Sequence, residues 1–172
     1  MLILKSGRTS AVKERRILEY TEIMGPLLAQ PMVQRLKEFP HHRMGDRFSH
    51  SVYVSYISYW ICKKMGLDCV SAARGGLLHD LYLYNSRDAE TMLIHMRSHS
   101  KKALENAERL CRLNDIERDI ILRHMWPITA KRPKYAESYV VSTVDKYCSG
   151  AERFGNRFRK KRVGVIEGAI NM

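Results

Sequence analysis

No export leader, membrane span, cysteine framework or strand pattern can be read from this sequence of 172 residues. The apolar start in "MLILKSGRTS" is too short for the core of a signal peptide. No run approaches the ~20 apolar residues of a membrane helix. The longest, "SVYVSYISYWIC", is interrupted by Ser55 and Ser58. These absences predict a cytoplasmic protein with no membrane partner. The four cysteines, at 62, 69, 111 and 148, form no Cys-x-x-Cys. That argues against a zinc knuckle or a thioredoxin-like motif, so they read as small buried hydrophobes without disulfides. Acidic residues are scarce: 18 Asp and Glu against 30 Lys and Arg give a net charge of +12. A basic chain favours anionic partners, whether phosphorylated metabolites, nucleic acid or an anionic surface.

What is present is helical patterning. Ser10 caps a first helix that Gly25-Pro26 stops at Met24. A short helix carries Met32, Val33, Leu36 and Phe39, and "HHRMGDR" follows as a loop. The third helix runs from Phe48 to Lys64, with Gly66 as its stop and His50, Val54, Ile57 and Ile61 facing inward. The fourth spans Cys69 to Leu81, with Ala72, Gly76, His79 and Leu83 on one face. Gly75 and Gly76 strip it of side chains one turn before His79, which allows a neighbouring helix close. "YNSRDAE" is a connector, and a weakly patterned helical stretch follows Asp88. A separate helix covers Ser100 to Arg112. Asn114-x-x-Glu117 forms a capping box for a helix ending at His124. "PITAKRPKY" is a loop. The last clear helix runs from Tyr135 to Ser149, is stopped by Gly150, and faces Ser138, Val141, Asp145 and Cys148 inward. The fold class is all-α, a single-domain helical bundle. Residues 1–45 form an N-terminal helical segment packed on the core, 46–151 the core itself, and 152–172 a basic C-terminal tail holding "RFGNRFRKKR".

Several of these inward faces carry costly side chains. "GGLLHDLYLY" places His79 and Asp80 inside an apolar run, and His50 and Asp145 lie on other apolar faces. Unpaired burial of such groups costs several kcal/mol each, and a shared metal ion removes that cost. Adjacent helical residues point ~100° apart, so His79 and Asp80 can flank one centre. Asp80 has two oxygens and can serve two metals where an imidazole serves one.

The elements "FSHSVYVS", "GGLLHDLYLY" and "VSTVDKYCSG" together resemble the HD-domain metal-dependent phosphohydrolases, over roughly Phe48 to Ala151. The resemblance implies an HD-type helical bundle with His50, His79, Asp80 and Asp145 holding one divalent transition metal. "HSKKALENA" and "LRHMWP" also resemble the family's dinuclear branch, which implies that His99 and His124 join Asp80 at a second metal. His95 competes with His99, one turn away, and the family spacing favours His99. His41 and His42, in a polar loop, read as surface residues. Met125 follows His124 and no Gly-Tyr-Pro occurs, which disfavours the cyclic-dinucleotide phosphodiesterases. The family's frequent Gly-Lys after the doublet is replaced by Leu81-Tyr82-Leu83-Tyr84-Asn85.

The implied activity is hydrolysis of a phosphorylated small molecule, a nucleotide first of all, by a metal-activated water. Imidazole and carboxylate ligands suit Fe, Mn, Zn, Co or Ni better than Mg. Asp80 is the shared catalytic ligand, and Arg47 and Lys146 are the cations expected to neutralise substrate, with Lys131 and Arg132 as further candidates. Two other readings stand beside this one: a nucleotide- or metal-binding module without turnover, and an RNA-binding protein that uses the basic tail.

Overall fold

The computed structural model describes residues 3–41, 45–84, 92–153, 164–166 and 168. Its helices are α1 (Ile3–Leu28), α2 (Pro31–Gln34) with a 3₁₀ turn (Arg35–Glu38), α3 (Arg47–Met65), α4 (Cys69–Leu78), α5 (Met92–Leu110), α6 (Asp115–Arg123) and α7 (Ala136–Arg153). The only extended pairing among the described residues joins β1 (Pro40–His41) to β2 (Gly45–Asp46), where the sequence predicted a plain loop.

α3 is the central helix. Asp46 caps it by accepting from the Ser49 amide at 2.7 Å, and Gly66 ends it in the left-handed conformation at φ 70°. His50 and Val54 are buried as expected, whereas Ile57 and Ile61 are only half-buried. Phe48, Ser51, Val52, Ser55, Tyr56, Ser58, Tyr59 and Cys62 are buried too. A helix enclosed on most sides has no polar face, so a single apolar stripe described it poorly.

α3 belongs to two apolar clusters. One joins Ile17, Tyr20 and Met24 of α1 to Val52, Tyr56 and Tyr59 of α3 and to Leu77 and Leu78 of α4. The other joins Val54 and Cys62 to Ala72 of α4, Ile120 of α6 and Val141, Val144 and Cys148 of α7. None of the four cysteines forms a disulfide; Cys62 and Cys148 are buried, while Cys69 and Cys111 are only half-buried. Glycines set the spacing around α4. A Cβ on Gly76 would meet the Ser55 Cα of α3 at 3.2 Å, and one on Gly75 would meet Ile120 of α6 at 2.7–2.9 Å.

Several helix boundaries differ from the sequence reading. α1 starts at Ile3, so Ser10 lies inside it and does not cap it, and α4 ends at Leu78 rather than Leu81, which leaves His79 as its cap and Asp80 just beyond. α1 continues through Pro26 to Leu28. Proline in a helix costs ~3 kcal/mol, but burying Leu27 and Leu28 returns roughly 1.5–3 kcal/mol each. α7 continues through Gly150 to Arg153, because glycine inside a helix costs only ~0.5–1 kcal/mol. The two helices expected on either side of Ser100 are one continuous α5, so His99 lies inside a helix rather than ahead of one. No proline or glycine interrupts that stretch, and only its weak apolar pattern suggested a break.

Ile166 is completely buried and belongs to the α1–α3–α4 cluster. The basic run at 154–162, the connector at 85–91, His42 and the side chains of His41, His95 and Arg153 lie outside the described residues. No helix among those described is long and apolar enough to cross a membrane.

Candidate metal centre

Five helices bring imidazoles and carboxylates to one place. His50 comes from the first turn of α3, His99 from the middle of α5 and Asp145 from α7. His79 and His124 are the C-terminal caps of α4 and α6, and Asp80 follows His79. All six are buried, although Asp80 and Asp145 retain 6% and 8% exposure.

The six form two groups of potential ligands, His50–His79–Asp145 and Asp80–His99–His124. In the first, His50 Nε2 is 3.1 Å and His79 Nε2 3.7 Å from Asp145 Oδ1. In the second, His99 Nε2 and His124 Nε2 are each 3.6 Å from Asp80 Oδ1 and 2.9 Å from one another. The groups adjoin. Asp80 Oδ2 lies 3.6 Å from His79 Nε2, and the His79 and His124 rings are 4.9 Å apart.

The donor set fits a divalent transition metal. His79 Nδ1 donates to the Gly76 carbonyl and His124 Nδ1 to the Ile121 carbonyl, both at 2.8 Å. In its neutral form each ring therefore turns the lone pair of Nε2 toward the centre, as a ligand requires. His79 Nε2 is buried without a hydrogen bond in the protein, an arrangement that a bound cation relieves. The 2.9 Å between His99 and His124 also suits two ligands on one ion, since metal–nitrogen bonds of about 2.0–2.1 Å at right angles place the nitrogens ~3 Å apart.

The electrostatics divide the site. Burial opposes charge on His79, but Asp80 and Asp145 outweigh it and raise its pKa. Burial likewise opposes charge on Asp145, but the His50 hydrogen bond and neighbouring His79 hold it well below the usual carboxylate range. His124 is pushed down to about 3, by burial first and then by His79 and His99.

A family model for the HD domain matches residues 47–150. The chain belongs to the HD-domain family. That family is a superfamily of metal-dependent phosphohydrolases, and its members bind divalent metals. No curated protein and no solved structure matched the chain in parallel comparisons.

Within this HD domain Arg47 and Lys146 are both held by backbone carbonyls. Arg47, expected to neutralise substrate, is 1% exposed and stacks on the Tyr82 ring at 3.6 Å. Its Nη1 donates to the Tyr82 carbonyl at 2.5 Å and its Nη2 to the Tyr84 carbonyl at 3.3 Å. It thereby ties the first turn of α3 to the segment after Asp80. Lys146 donates to the His124 carbonyl at 2.7 Å and to Ser142, and burial lowers its pKa. Both positions read from sequence as substrate-neutralising cations because carbonyl acceptors leave no mark in a sequence. Lys131 and Arg132 are exposed.

Sequence reading missed Asn106 and Ser142. Asn106 Nδ2 donates to the Leu81 carbonyl at 2.8 Å, and Ser142 Oγ to the His124 carbonyl at 2.7 Å. Their only sequence signal is helical phase: Asn106 lies two turns beyond His99, and Ser142 one turn before Lys146.

Proposed function

We propose that this HD domain hydrolyses a phosphate ester or anhydride of a small molecule, a nucleotide first of all, and that it holds two divalent metal ions. His50, His79 and Asp145 would hold one, His99 and His124 the other, with Asp80 shared. The observation that carries this reading is the division of Asp80, whose Oδ1 faces His99 and His124 while its Oδ2 faces His79. Bound metals of this kind supply a nucleophilic water at neutral pH and neutralise charge on a phosphoryl group. The mixed nitrogen and oxygen donors favour Fe, Mn, Zn, Co or Ni.

The protein's own contribution is orientation and burial. The Gly76 and Ile121 carbonyls fix the tautomers of His79 and His124. His50 and His79 keep Asp145 ionised. Arg47 and Asn106 hold the backbone from Leu81 to Tyr84, and so the carboxylate of Asp80 just before it. Lys131 and Arg132 are the exposed cations proposed to meet substrate phosphates. A nucleotide substrate goes with a cytoplasmic protein.

One observation favours a second reading, a nucleotide- or metal-binding module without turnover. Arg47 and Lys146, the cations expected to meet substrate, donate to backbone carbonyls. A phosphate-release screen over nucleoside mono-, di- and triphosphates and dinucleotides, run on Mn²⁺-reconstituted protein, separates the two. Release abolished by Asp80→Asn supports the hydrolase. Binding of the same nucleotides with no release supports the module.

A further inference from the structure

Lys146 follows a candidate ligand, Asp145, yet its side chain serves a different part of the site. Its ammonium has three protons and three acceptors: the His124 carbonyl at 2.7 Å, Ser142 Oγ at 2.9 Å and the Ser142 carbonyl at 3.2 Å. No N–H remains for a phosphate. Ser142 Oγ spends its own proton between the His124 carbonyl at 2.7 Å and the Trp126 carbonyl at 2.9 Å. The His124 carbonyl thus receives two donors, both from one face of α7.

The need for those donors follows from where His124 stands. It caps the C-terminus of α6, and a terminal carbonyl has no partner within its own helix. A cation there also complements the negative end of the helix. The imidazole is pinned to the same turn through Nδ1 and the Ile121 carbonyl, so a frayed last turn carries Nε2 away from His99 and Asp80. Asp145 points from the same turn of α7 toward His50 and His79. One turn of α7 therefore contributes a side chain to the first group and fixes the backbone of the second.

We propose that Lys146, with Ser142, is a positioning residue for His124, required for the Asp80–His99–His124 group to hold its metal and not required for metal at His50–His79–Asp145. This rests on the two-metal reading above. Loss of such outer hydrogen bonds lowers metal affinity by about 10–100-fold.

The test is calorimetric titration of metal-free protein with Mn²⁺, read beside circular dichroism of each variant. Wild type should take two ions. Lys146→Met should keep the first with unchanged affinity and bind the second at least 10-fold more weakly. Lys146→Arg, which keeps a cationic donor, should recover much of that loss. In turnover, Lys146→Met should lower kcat at limiting Mn²⁺, regain it at excess Mn²⁺ and leave the substrate KM unchanged. Two ions bound by Lys146→Met as tightly as by wild type, with a raised KM, would overturn the proposal and return Lys146 to the substrate. Wild type that binds fewer than two ions would overturn the two-metal reading, and this proposal with it. Should Lys146→Met fail to fold, Ser142→Ala must weaken the second ion selectively, and an unchanged second affinity there is equally decisive against it.

Discussion

Replacing Gly75 with alanine should wedge α4 away from α6. The new methyl would lie 2.7 Å from Cδ1, 2.8 Å from Cγ2 and 2.9 Å from Cβ of Ile120. Carbon atoms in good contact are about 3.5–4.0 Å apart, so three contacts are short by roughly 1 Å. Ile120 is completely buried and has no open space to retreat into. Overpacking costs ~1–3 kcal/mol, and three such contacts at once place this site at about 2–3 kcal/mol. Alanine's better helix propensity returns up to ~1 kcal/mol, which leaves a net loss of about 1–2 kcal/mol. For a chain of this length each kcal/mol moves Tm by about 2–4 °C, so a fall of roughly 2–8 °C is expected. Thermal unfolding of metal-free protein measures it. The site should feel the wedge as well, because Gly75 precedes His79 by one turn, Ile120 precedes His124 by one turn, and those rings are only 4.9 Å apart. Ile120→Ala removes two of the three overlapping atoms. The double variant should therefore lose less than the sum of the two single losses, by ~1 kcal/mol or more. Unchanged stability in Gly75→Ala, or strict additivity with Ile120→Ala, would refute close helix contact as the reason for glycine at this position.

His79→Ala should abolish metal at its group and also lower stability, since it leaves Asp80 and Asp145 buried with less compensation; elemental analysis and denaturant titration report the two effects separately. His99→Ala or His124→Ala should reduce a two-metal protein toward one and slow turnover by at least ~100-fold, with Asp80→Asn worse than either because both ions weaken together. Metal uptake should weaken as pH falls, because His79 holds its proton more firmly than a free imidazole while His124, at about 3, stays neutral; titration in buffers of different ionisation heat should show proton release as pH is lowered, and pH-independent affinity between 5 and 8 would contradict it. Ile166→Ala should cost ~2–5 kcal/mol despite its place at the end of a basic segment, as denaturant unfolding would show.

Of the candidate ligands, His50, His79 and Asp145 were legible as expensive groups on apolar helix faces, whereas His99 and His124 came in through the family resemblance. His50, His79 and Asp145 stand out against Val54, Leu78 and Val141. Asn114 and Glu117 also announced their helix, and both reciprocal capping hydrogen bonds are present at 2.9 and 3.0 Å. Gly75 and Gly76 were readable as points of close approach, though not which helices would approach. What stayed hidden depends on partners distant in the chain. Pro26 and Gly150 are helix breakers by propensity, and in α1 the burial of Leu27 and Leu28 overrides that cost. Ile166 looked like part of a tail until the cluster around Tyr20 and Leu77 gave it a pocket. Arg47 and Lys146 looked like substrate cations because a sequence names a side chain's charge and not the carbonyl it meets.

Asp80 is proposed to stand between two metal-holding groups, and the number of metal ions bound per chain decides it. Metal-free protein reconstituted with excess Mn²⁺, desalted and measured by elemental analysis should hold close to two ions per chain, falling toward one in His124→Ala. A wild-type value that never exceeds one, unchanged in both His99→Ala and His124→Ala, would contradict it.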